Sequence, residues 1–255
     1  MKSEKTTKEI LSLEKALNII EIMANYGMPM RLQDIATSAE IPSSTALRLI
    51  YTLQKHGYIN QEPASSRYYL SLKFFNIGSQ ISESLSIANI ARPHLNELAA
   101  QVSRSVNLAI SEGHSAIIVE VFGGSLESHI ITTRPGRLLP MHCTALGRSL
   151  MIDYTKEQLD EYFDCIPLLS YTPLTITTPE QLYQELDVIK KCGYAYDPGE
   201  FRAGICGVAA PILSDHGHPV ASISIAELSS VITLNLIQEF SEKVIQTANK
   251  ISSLL

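Results

Sequence analysis

Between Arg31 and Tyr58 the apolar residues fall into two short helical patterns about a compact break. Leu32, Ile35, Ala36 and Ala39 recur three and four positions apart, the spacing of one helix face. Glu40-Ile41-Pro42 interrupts them, because proline disfavours a helical residue before it and suits the start of the next helix. The second pattern predicts a helix over Ser43–His56 that buries Ala46, Leu49, Ile50 and Leu53. Its opposite face shows Ser43, Ser44, Thr45 and Arg48, and Gly57 stops it as a left-handed cap. Two helices about a tight turn, the second with a small polar front, are how a helix-turn-helix enters the major groove of DNA. An ordinary packed helix pair has the same periodicity. The segment after Gly57 separates the two: Tyr58–Gln61 reads as a strand, Glu62–Ser66 as a turn and Arg67–Leu72 as a returning strand. That hairpin is a wing, and Arg67 is placed to reach a phosphate.

The rest of the pattern predicts scaffold and a second domain. Ser12 caps a helix over Leu13–Tyr26 whose stripe is Ala16, Leu17, Ile20 and Met23, with Gly27 as its stop. Leu72–Gly78 leads away from the wing. A long helix runs Ser86–Val102, where Pro93 must kink it or mark a restart. Val106–Ser111, Ala116–Phe122 and Ser128–Thr133 are β-rich, the first two joined by a turn at Glu112-Gly113-His114 and the third set off by Gly123-Gly124. Arg134–Pro140 reads as loop, and helices follow at Cys143–Ile152, Tyr154–Phe163 and Thr178–Cys192. The last starts on Thr178 and Pro179 and stops at Gly193. Strands at Gly204–Leu213 and Pro219–Glu227 flank the turn Ser214–His218, and an amphipathic helix over Asn235–Leu254 closes the chain. Strands with helices segregated around them indicate an antiparallel α+β domain. The division is therefore a winged helix-turn-helix at 9–72, a linker at 73–88 and a second domain at 89–255.

With 255 residues, 45% of them hydrophobic, the chain is long enough for two modest cores. No run of eighteen apolar residues predicts a membrane span, and the charged start MKSEKTTKEI is not a secretory signal, so a cytoplasmic protein is expected. Cys143, Cys165, Cys192 and Cys206 form no CxxC pair and read as reduced thiols. A net charge of −6 argues at first against nucleic acid. Its distribution changes the picture: residues 1–75 hold 9 Lys+Arg against 7 Asp+Glu, and the remainder 11 against 19. The excess in the first part is small, so affinity has to come from placed residues and from two or more copies binding together.

No nucleophile elbow, P-loop or dinucleotide fingerprint is present. His129, His142 and Cys143, or His216 and His218, invite a metal, yet no set of three or four convergent ligands emerges, so neither metal nor cofactor is expected. An enzyme would recruit Asp197, Glu200 and His142 as acid–base groups, but nothing pairs them in sequence. More telling is Met141–Gly147, where Pro140 and small residues precede a helix. The backbone N–H groups of Thr144, Ala145 and Leu146 then lack intrahelical partners, an arrangement that favours an anion.

SLEKALNIIEIMANYG, LQDIATSAEIPSSTALRLIYTLQKHGYI and YYLSLKFFNIGS resemble the DNA-binding half of the IclR family of bacterial transcriptional regulators. GRLLPMHCTALGRSLM and KCGYAYDPGEFRAGICGVAAPI are similar to that family's effector-domain signatures, and the resemblance covers about residues 10–250. It implies a linker helix, a GAF-like effector domain of mixed antiparallel sheet and helices, double-stranded palindromic operator DNA as partner, a homodimer or dimer of dimers, and a small-molecule effector, with no membrane partner. The DNA-contacting set is then Leu32, Gln33, Ser43, Ser44, Thr45, Leu47, Arg48, Tyr51 and Arg67. The effector pocket is implied at Met141, His142, Thr144, Ala145, Leu146, Asp197, Gly207, Ser222, Ser224 and Ala226. Strand alternation puts Ser222, Ser224 and Ala226 on one face. The chain departs from the pattern in three places. Gly207 stands where many members have a cysteine, and Cys206, one residue early, falls on the opposite strand face. Ala226 replaces a second serine, and Ser43 replaces a lysine. The first two changes make the pocket larger and less polar. A helix N-terminus at one end, with Asp197 and Ser224 at the other, suits a small hydroxylated organic acid such as a sugar acid, with a carbohydrate-like or aromatic acid as the next choice, held without lysine or arginine.

Overall fold

The computed structural model describes residues 9–123 and 133–255. The expected tail Lys2–Glu9 and strand Ser128–Thr133 lie outside these residues apart from Glu9 and Thr133, as does His129. The fold is α+β, and the chain divides into two compact units, Met1–Ser82 and Glu83–Leu255.

In the first unit, helices α1 (Leu11–Tyr26), α2 (Leu32–Ser38) and α3 (Ser43–Lys55) precede a hairpin of β1 (Ile59–Gln61) and β2 (Tyr68–Leu70). The hairpin register is Ile59 with Leu70 and Gln61 with Tyr68, and Met30 bridges to Tyr68 as a further pairing residue. Ile19, Met23, Ile35, Ala39, Ile50, Ile59 and Tyr68 form one apolar core. Two expectations about α1 need correction. Ile10, with no side-chain bond, occupies the N-cap in place of Ser12. The buried stripe is Ile19 and Met23 backed by Ile22, while Leu17 is 51% exposed. Helix α1 is apolar on two faces, so periodicity alone could not choose between them. Gly27 and Gly57 both take left-handed conformations after their helices. Glu40 does the same at φ 52° in the turn between α2 and α3, without the help of a glycine. Past the wing, α4 (Lys73–Ser84) is helical over most of the segment expected as linker.

The second unit is a six-stranded antiparallel sheet in the order β5-β4-β3-β8-β7-β6. Its strands are β3 (Ser105–Glu112), β4 (Ser115–Phe122), β5 (Leu138–Pro140), β6 (Ala195–Asp197), β7 (Ile205–Leu213) and β8 (Pro219–Leu228). Strands β3 and β4 join through the two residues Gly113-His114, with Gly113 at φ 57°. Helices α5 (Ser86–Val102) and α9 (Leu234–Ser252) cover one face, against Val106, Leu108, Val208, Ile223 and Ile225. Helices α6 (Ala145–Leu150), α7 (Lys156–Cys165) and α8 (Pro179–Cys192) cover the other, against Ala109, Ala116, Ile118 and Ala209. Each fully buried isoleucine on the first face contributes roughly 1.5–3 kcal/mol. The second face is less apolar, because Asn107, Ser222 and Ser224 alternate with those large side chains.

Several boundaries shift for local reasons. Pro93 lies inside one continuous α5, with no restart. The proline is exposed, so its ring lies on the solvent side of the helix, away from the core. Helix α7 starts two residues later than its apolar pattern suggests, because Thr155 and Gln158 form a capping box. Leu138–Pro140, expected as loop, pairs with β4 at the sheet edge, where a proline does no harm. Strand β6 is too short to leave a pattern.

Candidate functional site

Helix α3 opens after Pro42 and exposes Ser43, Ser44, Leu47, Arg48 and Tyr51, with Thr45 half-buried behind them. Ala46 and Ile50 anchor its inner face. On α2, Gln33 is exposed and Leu32 is partly buried against the core. The wing turn is braced by Glu62 N–H to Arg67 O at 2.8 Å and Ser66 N–H to Glu62 O at 2.9 Å. Arg67 is half-buried, and its guanidinium donates to Pro29 O at 3.4 Å, which holds the base of the wing.

In the second unit a cavity of about 90 Å³ opens on the less apolar sheet face. Thr144, Ala145, Leu146, Asp197, Gly207, Ser224 and Ala226 all line it. Met141, His142 and Ser222 do not. Met141 is fully buried, with its backbone against Gly147. His142 Nε2 lies 3.3 Å from Leu169 O and Nδ1 3.4 Å from Tyr162 Oη. A carbonyl only accepts, so the proton sits on Nε2 and Nδ1 takes the tyrosine hydrogen. Burial lowers the pKa of this imidazole. Ser222 donates to Ala210 O at 3.4 Å. Among the described residues no group of three His, Cys, Asp or Glu side chains could hold a metal.

The start of α6 is built from Thr144. Its Oγ accepts from Gly147 N at 3.1 Å and donates to Pro140 O at 2.7 Å. The N–H groups of Ala145 and Leu146 come before the first intrahelical bonds, and both residues line the cavity. The expectation of a pocket without basic side chains is wrong: Arg137 and Arg202 border it, Arg137 lying 5.6 Å from the Phe201 ring centroid. Both come from irregular segments, where no periodicity marks a direction. Asn107 and Phe201 were also missed. For Asn107 a signal existed, an amide in the middle of an apolar strand. Cys206 borders the cavity, while its Sγ lies 3.7 Å from Tyr196 Oη and 3.0 Å from Ser229 Oγ.

Behind Asp197 lies a buried polar framework. Arg148, with no exposed surface, donates to Glu200 Oε1 at 2.6 Å and to Tyr196 O at 2.7 Å. Glu200 Oε2 accepts from Ile176 N at 3.0 Å. Thr172 and Thr175 donate to Glu200 O at 3.1 and 2.6 Å. Asp197 Oδ1 accepts from Gly199 N at 2.8 Å and Glu200 N at 2.7 Å. Burial pushes the Asp197 carboxyl from its ordinary 3.8 up to about 6, against the opposing pull of those two N–H groups and Arg148. A carboxyl that holds its proton more tightly when folded favours the fold at low pH, and that contribution is lost as pH rises from about 4 through 6. Asp197→Asn, which keeps the Oδ1 acceptor, should therefore melt like the parent near pH 4. Above pH 7 it should be the more stable, by up to roughly 3 kcal/mol. Thermal melts across pH 4–8 check this, and a constant difference would refute it.

A three-helix unit with a wing, followed by an antiparallel sheet that carries a cavity on one face, defines a two-unit DNA-binding protein. Residues 12–63 match the IclR helix-turn-helix domain, and residues 79–253 match the bacterial transcriptional regulator IclR C-terminal domain. The chain belongs to the IclR family of bacterial transcriptional regulators. It is 29% identical to the HTH-type transcriptional regulator XynR of Escherichia coli, over 96% of this chain and 97% of that one. It is also 29% identical to the transcriptional repressor IclR of the same organism, over 96% and 90%. The crystal structure of the Thermotoga maritima IclR superposes with a TM-score of 0.80 at 28% identity, covering 97% of this chain and 99% of that one. The chain is a regulator of transcription, not an enzyme.

Proposed function

We propose that this regulator binds a palindromic operator as a homodimer or dimer of dimers, through the outer face of α3 and the wing. A small hydroxylated organic acid held in the cavity of the second unit then alters that binding. The observation that carries this reading is the cavity wall itself. Arg137, Arg202 and the free N–H groups of Ala145 and Leu146 suit a carboxylate, and Asp197, Asn107 and Ser224 suit hydroxyls. Self-association is supported by Leu72, Phe75 and Ile81, which leave 83%, 75% and 61% of their surfaces exposed on and beside α4. Control is a coupling free energy between two sites, with no chemistry at either. Thermal-shift screening of organic acids tests it: a ligand at about 100 times its Kd stabilises the fold by roughly 2.7 kcal/mol. The same ligand must change operator retardation. Stabilisation by neutral apolar compounds alone would refute the pocket chemistry.

Two further outcomes are expected at the DNA. Arg48→Ala should weaken specific operator binding by about 1–3 kcal/mol with folding intact, read by gel-shift titration at fixed salt. Unchanged affinity would remove Arg48 from the interface. Arg67→Ala should weaken all sequences alike and reduce the salt slope by about one per protomer contact. A loss confined to one base substitution would place Arg67 in a groove instead.

A further inference from the structure

Asn107 sits in the middle of β3 with 2% of its surface exposed, and its Oδ1 has no hydrogen-bond partner among the described residues. Its Nδ2 lies 3.3 Å from Oγ of Ser224, the residue directly across on β8. A buried amide oxygen left without a donor costs about 1–3 kcal/mol, so such an atom calls for an explanation. The cavity supplies one, since both side chains line it. The amide has two orientations. With Nδ2 donating to Ser224, Oδ1 accepts from the cavity while the serine O–H is left to donate into it. Turned by half a rotation, Oδ1 accepts from Ser224 and Nδ2 donates into the cavity, where the serine oxygen still accepts. In either orientation the pair presents one donor and one acceptor side by side. A hydroxyl matches both; a carboxylate only accepts and an ammonium only donates.

We infer that the Asn107–Ser224 pair is the hydroxyl-reading subsite of the cavity and that Asn107 sets which acids are accepted. This rests on the cavity being an effector site for organic acids. The sheet fixes its distance from the other polar group. Asp197 pairs with Gly207, Gly207 with Ala226, and β8 in turn with β3. Ala226 pairs with Ser105, so Asp197 and Asn107 stand three strands apart and two residues out of register, roughly 16 Å between main chains at ordinary strand spacing and rise. Between them Gly207 and Ala226 form a low floor. The second Asp197 oxygen makes no hydrogen bond with the described residues, since both of its bonds fall on Oδ1. One hydroxyl cannot serve both ends. The ligand class is an acid carrying hydroxyls at two places several bonds apart, not an acid with a single hydroxyl.

The test uses the full chain and calorimetric titration with D-xylonate, D-gluconate and D-galactonate against pentanoate and hexanoate, which match them in length without hydroxyls. The parent should bind at least one aldonate roughly tenfold or more tightly than the plain acid of equal length. Asn107→Leu, similar in branching but without the amide, should erase that preference. Ser224→Ala should reduce it, and serves where the leucine variant fails to fold. A parent that binds hexanoate as tightly as the aldonates overturns the subsite, and so does an Asn107→Leu protein that keeps the preference. If no acid binds the parent at all, the effector reading falls too, and the variants are not needed to see it.

Discussion

Glu200→Ala should lower the stability of the 83–255 unit by about 3–5 kcal/mol, the usual cost of leaving one member of a buried ion pair alone. The partner left behind is Arg148, whose side chain has no exposed surface and whose Nε already lacks a hydrogen bond among the described residues. Tyr196 O would remain its only acceptor among the described residues. For a unit of this size that loss corresponds to a melting point roughly 6–20 °C lower by calorimetry. Replacing both partners by apolar residues, Arg148→Met with Glu200→Leu, should recover much of it, because desolvation of two charges offsets much of their attraction. A single variant that loses under about 1 kcal/mol would show that the guanidinium finds another acceptor.

Gly147→Ala should be damaging on a similar scale. A Cβ built on Gly147 meets Met141 Cα at 2.3 Å, Met141 O at 2.5 Å and Met141 C at 2.8 Å. All three are backbone atoms, so no side chain can swing aside. Overpacking usually costs about 1–3 kcal/mol, and a collision between main chains belongs at or above the upper end. The expected result is a second unit that melts early or fails to fold, read by loss of its cooperative transition, while the first unit keeps its own. Normal melting of Gly147→Ala would mean that α6 and the 141–144 segment separate easily. A rigid cavity wall is incompatible with that result.

How much of this was legible depends on length and repetition. Helix α8 could be placed to the residue because Thr178, Pro179 and Gly193 punctuate it. Helix α3 was legible because its two faces differ sharply in polarity. The direction of α1 was not, since Leu13 and Leu17 make a second apolar face. In the cavity, alternation along β8 placed Ser224 and Ala226 correctly, yet it also nominated Ser222. That residue shares their face but sits beyond the cavity and donates to Ala210 O. Strand period reports the face, not the position along it. Arg137 and Arg202 escaped because irregular segments have no period. The Arg148–Glu200 pair escaped because 52 residues separate its members.

The strand order has a consequence in time. Strand β3 finds its neighbour β8 only after more than a hundred residues, with Asn107 and Ser224 117 positions apart. The first unit closes entirely within Met1–Ser82. Local contacts form early and distant pairings late, so a chain leaving the ribosome assembles α1–α3 and the wing long before its sheet has a centre. At about 5–20 residues per second, the stretch from Ser82 to β8 takes roughly 7–28 seconds to synthesise. During that interval a helix-turn-helix exists without the strand that completes the cavity. A message cut short before residue 219 would make this condition permanent, yielding a head that no ligand can address.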